Sequence, residues 1–145
     1  MDNPTPSDNA LAAEALHTLA AYTGEAELVG AAEGVSRAAG SLLEQHPGAV
    51  GHLVSVAATA AIGIKEVAIV GDPSDRRPLE RIAWETFRPD CALAPANGPD
   101  PAIPLLRDRT APPGTAHAFV CRDLTCLLPT ASPVELRGLL ENGAS

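Results

Sequence analysis

An α+β fold is predicted, with three N-terminal helices followed by a small α/β unit closed by a C-terminal helix. Three observations carry it. Apolar residues recur at helical spacing through residue 62, and the pattern then shortens to a β-branched run at Glu66-Val-Ala-Ile-Val70. A capping signal, Ser132-Pro-Val-Glu135, opens one more helix near the C-terminus. The change of period divides the chain into a helical segment, residues 1–63, and a small α/β unit, residues 64–145.

The first helix is expected over residues 10–22, with Leu11, Ala15, Leu16 and Leu19 on helical spacing and Thr23-Gly24 as its stop. The second spans 25–45 through Leu28, Ala31, Val35, Ala38, Leu42 and Leu43, and His46-Pro47-Gly48 ends it. The third, 49–62, is apolar on nearly every face. A helix of that kind needs cover all round, more than two neighbours provide.

The strand at 66–70 closes in Gly71-Asp72-Pro73. Asp75 is the expected N-cap of a helix over 76–87 that turns Leu79, Ile82, Ala83 and Trp84 inward. Cys91–Ala94 reads as a second strand, parallel to the first across a right-handed crossover. Residues 95–113, rich in Pro, Gly and Asp, read as loop with a turn at 103–106. Strands follow at 115–120 and 125–128, joined as a hairpin, and the last helix runs to Leu140. Lys65 and Glu66, at a strand entrance, are expected to be solvated.

With 46% hydrophobic residues the chain has enough apolar surface for a core, but aromatics are only 3%, so that core is built from alanine and aliphatics. The formal net charge of −8 disfavours nucleic acid and anionic membrane, which need clustered cations, and Lys65 is the one lysine. The longest apolar run, 53–64, falls short of the ~20 residues a membrane span requires. No basic segment leading into an apolar run opens the sequence, so a cytoplasmic chain with reduced cysteines is expected.

The opening Asp2-Asn-Pro-Thr-Pro-Ser-Asp-Asn9 reads like a loop from the middle of a larger protein. Together with Glu66-Val-Ala-Ile-Val-Gly-Asp-Pro73, Pro104-Leu-Leu106, Ala116-His-Ala-Phe-Val-Cys-Arg-Asp-Leu-Thr-Cys126, Pro129 and Pro133-Val-Glu-Leu136, it resembles one family. This is the C-terminal part of the thioredoxin-domain proteins related to spermatogenesis-associated protein 20. The resemblance covers nearly the whole chain in order. It implies that residues 1–63 correspond to late helices of an (α/α)6 barrel, or α/α toroid, similar to six-hairpin glycosidases and N-acylglucosamine 2-epimerases. The chain departs from the family at Asp8, where glycine is usual, and at Ala10, where serine is usual. It also contains no Cys-x-x-Cys, so the thioredoxin-like redox centre has no counterpart here.

Candidate site residues are few. Asp2, Ser7, Asp8 and Asn9 share the polar opening, and the resemblance places that loop at a barrel mouth where a sugar-like ligand would sit. Against this, helix capping by Ser7 or Asn9 is the favoured reading, and two carboxylates on one terminus lack the fixed separation that glycosidase chemistry needs. Asp72 follows a strand's C-terminal end, where open sheets bind ligands, yet Val-Gly-Asp-Pro is no phosphate cradle and a turn role is favoured.

Cys121 and Cys126 could approach each other across the hairpin. Buried structural thiols are the favoured reading there, with a disulfide, or a metal pair completed by Cys91 or His117, as alternatives. His46 suits the negative end of a helix, and His52 reads as a hydrogen-bonded core residue. No catalytic set, cofactor or metal is expected. The expected role is structural or interaction-based, as a truncated or stand-alone C-terminal segment. Its partner would be a chain supplying the missing barrel helices or another copy. A carbohydrate-processing protein is the first alternative, a thiol redox protein the second.

Overall fold

The computed structural model describes residues 5–122 and 125–141. Its elements run α1 (Asp8–Thr23), α2 (Ala26–Ala38), α3 (Gly40–Gln45), α4 (Gly51–Ile62), β1 (Lys65–Gly71), α5 (Pro73–Trp84), β2 (Cys91–Ala96), β3 (Ala116–Arg122), β4 (Thr125–Cys126) and α6 (Pro133–Glu141). Helices precede a four-stranded mixed sheet that carries two further helices, which makes the fold α+β. Two compact units result, Met1–Ala20 with Glu25–Ile64, and Ala21–Gly24 with Lys65–Ser145.

In the helical unit, Ser7 caps α1, its Oγ accepting from the Ala10 N–H at 3.4 Å. The single helix expected over 25–45 is divided. Ala39 leaves helical geometry (φ −94°, ψ 6°), donates to the Val35 carbonyl and accepts from Leu42 and Leu43. It therefore closes α2 and opens α3 at once. Gly30, Gly34 and Gly40 each lower helix propensity by about 1 kcal/mol relative to alanine, so the segment has little intrinsic preference for one continuous helix. Pro47 then forms a short 3-10 turn ahead of α4, and Gly63 ends α4 at φ 87°. The core here is small-residue packing. Ala10, Ala13, Ala32, Val50, Leu53 and Val56 are buried, and on α4 only Leu53 and Val56 reach that state.

In the second unit the sheet order is β2-β1-β3-β4. β1 pairs parallel with β2 across α5 and antiparallel with β3. All seven residues of β1 are buried, as a central strand covered on both faces requires. Val67 and Ile69, with Ala116, Ala118 and Val120 of β3, meet Leu79, Ile82 and Ala83 of α5 and Leu136 and Leu140 of α6. Ala68, Val70, Phe119 and Cys121 point the other way, against Leu105 and Leu106 of a 3-10 turn. Each fully buried Leu or Ile contributes about 1.5–3 kcal/mol. Pro95 lies in β2, an edge strand, where its missing N–H is tolerated.

Five further sequence expectations need correction. Lys65 and Glu66 are buried, at 7% and 5% exposure, not solvated. Lys65 Nζ donates to the Leu140 carbonyl at 2.7 Å and lies 3.6 Å from Asp90 Oδ2, so it ties the end of α6 to the sheet. Lys65→Met is expected to cost about 1–3 kcal/mol in a urea titration, because Leu140 and Asp90 both lose their cation. The helix expected over 76–87 starts at Pro73, with Asp72 rather than Asp75 at the N-cap position, since proline is preorganised for the first turn.

Trp84 is 71% exposed, one residue off the buried stripe of Leu79, Ile82 and Ala83. The capping box of α6 is split as well. Ser132 Oγ does accept from the Glu135 N–H, but the Glu135 carboxylate accepts from Thr130 Oγ1, which in turn accepts from the Ser132 N–H. The expected strand at 125–128 is two residues long, followed by a bridge between Ala118 and Thr130.

Candidate functional site

Alternation along β3 sends His117, Phe119 and Cys121 to the face opposite α5 and α6. The hairpin register sets Cys126 directly across from Cys121. Their sulfurs are bonded at 1.96 Å with Cα atoms 3.9 Å apart. The favoured reading of two separate buried thiols is thus corrected to a cystine, because direct register leaves both side chains on one face with nothing between them. The hairpin tip lies outside the described residues.

Arg109 completes this cluster. Asp108 takes φ 59°, a left-handed turn that aspartate tolerates better than most residues, and the chain then returns with the Arg109 N–H on the Leu106 carbonyl. The guanidinium reaches the cystine, with Nη2 2.7 Å from Cys126 Sγ and 3.9 Å from Cys121 Sγ. Its carbon lies 5.1 Å from the centre of the Phe119 ring, a cation–π contact. Arg109 Nε is buried without a hydrogen-bond partner among the described residues. Cys121 is 3% exposed and Cys126 is half-buried, so Cys126 is the more open of the pair. Sequence reasoning singled out both cysteines and missed Arg109, for which the chain offers no local signal.

The other sequence candidates do not join this cluster. Asp2 lies outside the described residues. Ser7 acts as a helix cap, while Asp8 and Asn9 are exposed in the first turn of α1. Asp72 is exposed in the second unit. Its side chain makes no cap bond, and its carbonyl accepts from the Asp75 and Arg76 N–H groups. Cys91, in register with Lys65, packs on the α5 and α6 face, away from the cystine. Among the described residues no group of three or more His, Cys, Asp or Glu is placed to hold a metal. His52 Nε2 lies 3.0 Å from Glu14 Oε2, half-buried as a hydrogen-bonded residue. His46 is the C-cap of α3.

Among the described residues three ionisable groups are shifted chiefly by burial, which pushes one of them, the Tyr22 hydroxyl, up. The Cys91 thiol is pushed up to about 11, chiefly by desolvation and then by Asp90. In the native protein near pH 8 its alkylation by iodoacetamide is expected to run about 100-fold slower than that of an ordinary cysteine. Mass spectrometry against time measures this. Burial also holds His17 below the ordinary histidine value, with Glu33 pulling the other way. Neutral His17 is the form the fold prefers. Its stabilising contribution is complete above the ordinary value and is lost as pH falls through the folded-state value. Melts from neutral pH down to about pH 5 are expected to fall more steeply for the wild type than for His17→Leu.

A second feature of this unit is an open groove of about 430 Å³ lined by Tyr22, Trp84, Phe87, Arg88, Cys91 and Leu93. The chain has one Trp, one Tyr and two Phe, so this groove gathers all of its large aromatics except Phe119. Tyr22 is fixed there by its hydroxyl, which donates to the Leu93 carbonyl at 2.9 Å. Trp84 and Phe87 present 71% and 89% of their surface to solvent.

No family model, curated protein or solved structure matches this chain.

Proposed function

We propose that the chain is a structural or interaction unit rather than an enzyme, corresponding to the C-terminal part of a thioredoxin-domain, six-hairpin-glycosidase-like protein. The observation that carries the reading is the exposed aromatic groove. Trp and Phe are the residues whose burial contributes most to an interface, and a chain with so few aromatics leaves two of them open at one place.

The helical unit supports the same reading. α4 is apolar almost throughout, yet Val54 and Ile62 stay exposed at 38% and 62%, alongside Leu11 and Leu19 of α1 at 46% and 50%. Such helices gain most from packing against further helices, supplied by another chain or a second copy. The net charge of −8 opposes nucleic acid as that partner. Among the described residues no helix is long and apolar enough to cross a membrane. The proposed location is the cytoplasm.

The single tryptophan supplies the test. Native mass spectrometry, dye binding and Trp84 emission are to be followed as the protein is concentrated. Assembly beyond the monomer, with a blue shift of Trp84 and displacement of bound dye, is the expected result. A monomer at every concentration, binding no dye and showing a Trp84 already protected from quenchers, would overturn the reading.

A further inference from the structure

We propose that Cys121 and Cys126 are a dithiol–disulfide redox pair, in which Arg109 holds Cys126 as the thiolate of the reduced form. The inference is independent of the interaction role above. It starts from the placement of a guanidinium on a neutral cystine. A disulfide sulfur is a weak acceptor, and an arginine brought to it from solvent gains little in return. Yet Arg109 Nη2 is 2.7 Å from Cys126 Sγ, its Nε is buried without a hydrogen-bond partner, and its face lies over Phe119. Among the described residues no carboxylate forms a salt bridge with it. The same donor facing a thiolate makes a charge-assisted hydrogen bond, so Arg109 stabilises the reduced state more than the oxidised one.

The neighbourhood also distinguishes the two sulfurs. Glu66 stands opposite Cys121 in the register of β1 and β3, on the same face and buried. Arg109 favours charge on Cys126, the sulfur its Nη2 approaches more closely. Exposure agrees, because Cys126 is the less buried residue of the pair. The mechanical consequence of opening the bond is local. β4 is held to β3 by two register pairs, and beyond it the Leu127 N–H donates to the Val120 carbonyl and a bridge joins Ala118 to Thr130.

The exchange balances with a small dithiol as reductant. One thiolate of the reductant attacks Cys126 Sγ, the Cys121–Cys126 bond breaks, and Cys121 leaves as a thiolate that takes up a proton. The second thiolate of the reductant then attacks its own sulfur in the mixed disulfide. Cys126 is released as a thiolate beside Arg109, and the reductant departs as its cyclic disulfide. Two electrons pass to the protein, and the reductant's two protons go to Cys121 and to Cys126 or solvent.

The test equilibrates the full chain against graded mixtures of reduced and oxidised dithiothreitol, then traps thiols with iodoacetamide and reads intact mass. The expected result is a two-thiol step with no loss of circular dichroism. In Arg109→Gln the reductant-to-oxidant ratio at the midpoint rises about tenfold, equivalent to about 30 mV for a two-electron couple. In the reduced protein near neutral pH, Cys126 is alkylated faster than Cys121 or Cys91. That rate falls in Arg109→Gln and is partly restored in Arg109→Lys, which keeps the charge. Thermal melts of each variant, oxidised and reduced, separate this from a packing role, since lost packing lowers both forms alike. Three free thiols in the protein as isolated under non-reducing conditions, reduction that occurs only with unfolding, or a midpoint unmoved by Arg109→Gln would each overturn the proposal.

Discussion

Gly71→Ala is expected to destabilise the second unit by roughly 4 kcal/mol, combining a strained backbone with an overpacked contact. Gly71 ends β1 at φ 149°, where a side chain is unfavourable whatever the surrounding space. The space is also taken. A β-carbon there would stand 2.7 Å from the Thr115 carbonyl oxygen and 2.8 Å from the Ala116 side chain, both belonging to the chain that pairs with it. Neither neighbour is a flexible tip, so relief means moving β3 away from β1. The Gly71 carbonyl also accepts from Arg76 Nη1 at 3.0 Å, and that guanidinium further engages Glu80 and Asn97. A shifted strand end therefore pulls on α5 and on the loop after β2.

Gly114→Ala is the control. Gly114 has φ 72° but open space around its missing β-carbon, so only the conformational cost of about 1 kcal/mol is expected. Urea midpoints for the two variants measure the difference. A Gly71→Ala midpoint no lower than that of Gly114→Ala would show that β1 and β3 do not approach this closely.

The elements that the sequence made legible are those written in local periodicity. β1 reads as a buried strand because its Val and Ile run without a break, and α6 reads as a helix because cap and stripe agree. α1 is a helix as expected, but Leu11, Ala15 and Leu19 of the expected stripe are exposed and its buried face is Ala10, Ala13 and Ala20. Residues 25–45 misled because Leu42 and Leu43 continue the apolar spacing of Val35 and Ala38, while the backbone leaves helical geometry at Ala39, which the side-chain pattern does not mark. Lys65 misled for a different reason. Its partner, the Leu140 carbonyl, is 75 residues away, and nothing near Lys65 announces it. The candidate site has the same character. The spacing of Cys121 and Cys126 was visible, but Arg109 reaches them from 12 and 17 residues upstream through a turn set by one left-handed aspartate. One such residue in a loop rich in Pro, Gly and Asp carries no pattern of its own.

Helix α5 allows that contrast to be measured within one element. Leu79→Ala is expected to cost about 3 kcal/mol, because Leu79 is 2% exposed in the cluster formed with Val67, Ile69, Leu136 and Leu140. Trp84→Ala, five positions along and removing a larger side chain, is expected to stay within about 0.5 kcal/mol of wild type in the monomer. The order follows from water, not from size. Truncating Leu79 leaves a cavity between α5, α6 and the sheet, whereas Trp84 is already 71% solvated and its loss opens none. Denaturant titrations at a dilution where the chain is monomeric read both values. If the protein assembles through the aromatic groove, the Trp84→Ala cost must grow with concentration while the Leu79→Ala cost does not, since only the former side chain gains its burial from a second molecule. Equal costs for both variants in the monomer would mean that Trp84 is packed within its own chain, and the groove would then lose its main anchor.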